Sequence, residues 1–132
     1  MTRQKFYLNR YGWIVYVYYD TTQSDAVEIY EMLESIGCDK FDLDDAWENL
    51  SASEMNSGLT YSNYFNRESV VVIGKTSSAE QFAKTYRHEI GHLAAHIASA
   101  FHLDLKGEVV QYIGDEIVGK TWGIAKKQLC EC

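Results

Sequence analysis

Residues 69–97 read SVVVIGKTSSAEQFAKTYRHEIGHLAAHI, and the fold is decided in this stretch. Glu68–Ile73 is apolar on both faces and β-branched, which suits a strand buried in a sheet rather than one lying on it. Gly74 ends it. Ser77-Ser78-Ala79-Glu80 then supplies a capping box, with a serine N-cap and Glu80 three residues later. From there apolar residues recur at 79, 82, 83, 86, 90, 93, 94, 97 and 101, a sustained 3.6-residue period. A buried strand leading through a tight cap into a long amphipathic helix predicts a helix laid back across a sheet.

Working outward, Leu59–Phe65 and Glu68–Ile73 read as two strands joined at Asn66-Arg67, with a break at Met55–Gly58. Phe41–Leu50 predicts a short helix. Ser24 stands as the N-cap of an earlier one, in which Ala26, Ile29, Tyr30 and Leu33 repeat at helical spacing as far as Gly37. Phe6–Leu8 and Trp13–Tyr19 are aromatic and β-branched and flank a turn at Asn9–Gly12, which predicts a strand pair. On the C-terminal side Asp104–Gly107 is a turn, and a last helix runs from Glu108 to about Gln128. There is no internal repeat and no linker. The expectation is one α+β domain over residues 1–132, with a small, mostly antiparallel sheet carrying the long helix on one face.

Composition narrows the classes further. The chain has 132 residues, 46% hydrophobic, 14% aromatic and 23% charged, which excludes a disordered or fibrous polypeptide. No apolar run approaches the roughly 20 residues needed to span a bilayer, and MTRQKFYLNRYGWIV lacks the apolar core of a secretory signal. With 12 basic against 19 acidic residues, the surface as a whole suits neither a nucleic-acid backbone nor an anionic membrane. The acid is concentrated in residues 20–54, where eleven carboxylates face Lys40 alone, a pattern read as solvated helical surface. Cys38, Cys130 and Cys132 cannot all pair within one chain, so they read as thiols of a cytoplasmic protein, the last two in a frayed tail.

The chemistry lies inside the long helix, at His88-Glu89-Ile90-Gly91-His92. Histidines at i and i+4 project from one helix face about one turn apart, so both imidazoles reach a single metal ion. Glu89 stands beside the first, where a carboxylate can take a proton from water activated by that metal. At 100° per residue the side bearing His88, His92 and His96 points nearly opposite the apolar stripe, so these histidines are not core residues of that stripe. A third protein ligand is needed. His96 continues the same face, but ligands at i, i+4 and i+8 on one straight helix hardly converge, which leaves it for contact with a ligand residue or substrate. His102 lies at the far end of the helix. The last helix offers Glu108, Asp115 and Glu116, and a plain antiparallel hairpin brings Asp115 or Glu116 nearest the level of His92.

HEIGHLAAHI followed by GEVVQYIGDEI resembles the zincin metallopeptidases of the glutamate-ligand type, and most of all the small zincin-like proteins encoded by phages and mobile elements of gut bacteria. The similarity runs from about Gly58 to Gly119 and takes in NSGLTYSN and SVVVIGKTSS. It implies a minimal zincin-like fold in which the last helix completes the site. His88, His92 and Glu108 would be zinc ligands and Glu89 the general base. The expected function is therefore hydrolysis of a peptide or protein substrate with Zn2+ as cofactor. The alternative is a non-catalytic zinc-binding or protein-interaction module that keeps the HExxH site.

Overall fold

A computed structural model describes residues 1–52 and 58–129. The expected break at residues 55–57 and the tail of Cys130, Glu131 and Cys132 therefore lie outside the described residues. The elements are β1 (Thr2–Leu8), β2 (Trp13–Thr21), α1 (Ala26–Ser35), α2 (Lys40–Leu50), β3 (Gly58–Asn63), β4 (Glu68–Gly74), α3 (Ala79–Ala100) and α4 (Glu108–Leu129), with single 3-10 turns at Asn9–Tyr11 and Gln23–Asp25. The architecture is α+β. The sheet order is β1-β2-β4-β3, so β3 is an edge strand. β1 and β2 pair antiparallel, as do β3 and β4, while the two central strands β2 and β4 run parallel. The sheet is thus mixed, its antiparallel hairpins on either side of one parallel seam.

Period-two alternation sorts the strands onto two faces. Phe6, Leu8, Trp13, Val15, Val17, Tyr19, Val71 and Ile73 turn toward α3 and α4 and meet Phe82, Tyr86, Ile90, Leu93, Ile97, Ile113 and Ile117. Tyr18, Val70, Val72 and Leu59 turn the other way and meet Ile29, Leu33, Ile36, Ala46 and Leu50 of α1 and α2. Helices therefore cover both faces, which explains why SVVVI is apolar throughout: Val71 and Ile73 serve one core, Val70 and Val72 the other. The carboxylates of α1 and α2 lie on the outer side of those helices, as the charge pattern implied. Helix α1 is tied to the sheet by Arg3, whose guanidinium donates to both Glu28 oxygens at 2.5 and 2.6 Å.

Local details depart from the sequence reading at element ends. The N-cap of α3 is Ser78, whose hydroxyl accepts from the Gln81 backbone N–H, one residue later than the expected Ser77–Glu80 box. Gln81 takes the role assigned to Glu80, accepting from the Ser77 N–H and hydroxyl. Near α1, the capping box is formed by Thr22 and Asp25 around the 3-10 turn, and Ser24 is not the cap. β3 begins at Gly58, inside the expected break, and stops at Asn63, because the Asn63 side chain accepts from the Asn66 N–H and turns the chain early.

Helices α3 and α4 form an antiparallel hairpin, and the Tyr86 and Thr121 hydroxyls, 2.6 Å apart in its buried seam, fix its register. Helix α4 carries glycines at 114 and 119 where an added Cβ meets nothing within 4 Å. Gly114→Ala and Gly119→Ala are each expected to raise stability by about 0.5–1 kcal/mol, by removing unfolded-state freedom without a clash. Urea denaturation of the single variants checks this. No helix among the described residues is long and apolar enough to cross a membrane.

Candidate active site

Helix α3 lies over β4 and β3, so the flank of α3 away from α4 overlooks the edge strand. There Gly58, Leu59, Thr60, Tyr61, His88, Glu89, His92 and His96 line a cleft of about 300 Å3. A second cleft, of about 330 Å3, lies between α1 and α2, lined by Val27, Tyr30, Glu31, Glu34, Asp44 and Trp47. It contains no histidine, whereas three of the chain's four histidines line the α3–β3 cleft.

His88 and His92 are exposed, and their Nε2 atoms lie 3.0 Å apart with the rings edge to face. Zinc–nitrogen bonds of about 2.0–2.1 Å at a tetrahedral angle put two ligand nitrogens about 3.3 Å apart, so the pair fits one ion between them. Glu89 faces the sheet and is only 3% exposed. Its Oε1 accepts a 2.7 Å hydrogen bond from the Thr60 hydroxyl. A buried carboxylate needs such a partner, because burial without one costs several kcal/mol. Gly58 is required opposite it. A Cβ there would stand 2.5 Å from the Val72 carbonyl oxygen and 3.0 Å from the Glu89 Cγ.

His96 is the deepest of the three histidines. Its Nδ1 is 2.8 Å from the Ser62 hydroxyl, which is 2.6 Å from the Ser69 hydroxyl, and the Trp13 indole N–H donates to Ser69 at 2.8 Å. Burial, and then the neighbouring His92, hold the His96 pKa below the ordinary histidine value. On the other face of β3, Tyr61 donates to Asp45 of α2, and burial followed by that carboxylate raises its phenol pKa. The edge strand is thus fastened on both faces.

Glu108 is not brought to the histidines. Taking the Tyr86–Thr121 contact as the register, the residue level with His92 is Asp115, and Glu108 lies seven residues, about 10 Å, further along the axis. Its carboxylate is exposed and accepts from the Tyr112 hydroxyl at 3.3 Å. Asp115 and Glu116 have the right height but the wrong side, because α4 packs on the apolar flank of α3, opposite the edge strand β3. Among the described residues no three His, Cys, Asp or Glu side chains are grouped to hold a metal. Of the ligands expected from the sequence, the cleft brings together His88 and His92 and lacks Glu108. His102 ends α3 with φ 56° and plays no part in the cleft.

The residues that sequence reasoning missed are Gly58, Thr60, Ser62, Ser69 and Trp13. A signal for them existed. In Gly58-Leu59-Thr60-Tyr61-Ser62 every second residue is small or hydroxylated, which marks the strand face that meets a polar helix flank. The chain matches no protein-family model, no curated protein and no solved structure.

Proposed function

We propose that the chain is a zinc-dependent peptide hydrolase in which His88 and His92 hold the metal and Glu89 accepts the proton of the attacking water. The observation that carries this reading is the approach of two imidazole Nε2 atoms to 3.0 Å at a cleft where the lining carboxylate of Glu89 is buried and hydrogen-bonded. Zinc held there would supply a Lewis acid that polarises a peptide carbonyl and makes water acidic enough to deprotonate near neutral pH. The rest belongs to the chain. Thr60 fixes Oε1 of Glu89, leaving Oε2 to take the proton and pass it to the departing amine. β3, an edge strand among the described residues, offers backbone N–H and C=O groups to an extended peptide laid along the cleft.

The second reading, a non-catalytic metal-binding module, is favoured by the position of Glu108, which leaves the cleft with two protein ligands where catalytic zinc sites commonly have three.

Zinc content decides whether the site binds metal at all. Protein dialysed against zinc near neutral pH should carry one ion per chain by elemental analysis. The His88→Ala/His92→Ala variant should carry none, and Glu108→Gln should match wild type. Full stoichiometry in the double variant overturns the assignment. A loss in Glu108→Gln instead shows that α4 moves to complete the site.

A further inference from the structure

The hydroxyl chain behind His96 determines which of its ring nitrogens carries the proton. The Trp13 indole can only donate, and it donates to the Ser69 oxygen. Ser69 is fully buried, and its other partner is the Ser62 hydroxyl. The Ser69 proton therefore goes to the Ser62 oxygen. Ser62, having accepted there, still has its own proton to place, and His96 Nδ1 is the one side-chain acceptor it meets among the described residues. The opposite orientation would leave the Ser69 proton without an acceptor, because the Ser69 oxygen meets only the Trp13 indole, which cannot accept, and the Ser62 hydroxyl. Nδ1 is thus an acceptor, and neutral His96 carries its proton on Nε2.

We infer that His96 presents a fixed Nε2–H donor to the α3–β3 cleft, and that this donor binds the carbonyl oxygen of the scissile peptide as negative charge develops on it. The inference rests on the hydrolase reading for its substrate, but the tautomer does not. It assigns His96 a role that a metal ligand could not fill, since a protonated Nε2 has no lone pair for an ion. It also explains three residues with no other chemical purpose. Trp13, Ser69 and Ser62 are positioning residues, strung from the sheet core to the cleft so that the imidazole cannot change tautomer freely. A donor held in advance where charge develops is the kind of contact that lowers a barrier without reorganisation.

The test has two arms on the zinc-loaded full chain. Long-range proton–nitrogen correlation spectra, with His96 assigned by its loss in His96→Gln, should show Nε2 protonated and Nδ1 bare. Ser62→Ala should let the other tautomer gain population while His88 and His92 signals stay in place. In steady-state hydrolysis of a peptide substrate, His96→Leu should lower kcat by about 10²–10³ with KM nearly unchanged. His96→Gln, whose amide keeps an N–H, should recover a substantial part of that loss. A protonated Nδ1 with bare Nε2 overturns the inference, as do equal losses in the Leu and Gln variants. Absence of any Glu89-dependent cleavage overturns the hydrolase reading and the carbonyl contact with it, while the spectrum still decides the tautomer.

Discussion

Glu89→Gln is expected to lower peptide hydrolysis by about 10²–10⁴-fold while leaving fold and zinc content unchanged. The substitution is nearly isosteric. The glutamine Oε1 can still accept from Thr60, so the buried hydrogen bond at 2.7 Å survives and the space opposite Gly58 stays filled. In the proposed site His88 and His92 would hold the metal, so its occupancy should not follow residue 89. What disappears is the anionic oxygen that takes a proton. The measurement is cleavage of unstructured protein and peptide libraries by both forms, zinc-loaded and side by side. Equal cleavage by both points to a contaminating protease. Silence from both, with zinc stoichiometric in each, favours the non-catalytic module.

Much of this arrangement was legible because it rests on local rules. The 3.6-residue stripe of α3 placed Ile90, Leu93 and Ile97 on the sheet and left His88 and His92 exposed, but His96, expected on the side opposite the stripe, is half-buried against Ser62 of the edge strand. The run SVVVI announced a strand with two buried faces. Cross-chain relations were harder to read. Nothing local says that β2 should lie beside β4 in parallel, because that pairing depends on how α1 and α2 cross over one face. Helix caps shifted by one residue because Ser77 and Ser78 are both competent, and the choice fell to whichever let Gln81 bond back to the loop.

The third ligand failed to be legible for a similar reason. Glu108 was placed by a pattern of spacing along the chain, whereas its position in space follows from which side of α3 the last helix covers. Ile113 and Ile117 must meet the same apolar flank of α3 that faces the sheet core, and this carries the carboxylates of α4 away from the imidazoles. Glu89 shows the converse. The sequence marks it as a base beside His88 but not as buried, and it is buried because Gly58 and Thr60 on the edge strand make a polar recess for it. A buried acid with one hydroxyl partner, beside two convergent imidazoles, is a local conflict between stability and composition of the kind found at functional sites.

Leu93→Ala should produce the largest loss of stability among conservative core changes near the cleft, about 2–5 kcal/mol. Leu93 is fully buried in the core between α3 and the sheet, and it adjoins His92 in sequence. For a domain of this size each kcal/mol lowers Tm by about 4 °C, so a drop of roughly 8–20 °C is expected in a thermal melt. Because the same helix turn holds His92, metal binding should oppose that loss: zinc at 100 times its Kd adds about 2.7 kcal/mol to any state that binds it and to none that does not. Saturating zinc is therefore expected to restore some 10 °C to Leu93→Ala and almost nothing to Leu93→Ala/His92→Ala. Equal recovery in both would place the ion elsewhere on the chain. Recovery in neither would mean that α3 holds its imidazoles without a metal to gain.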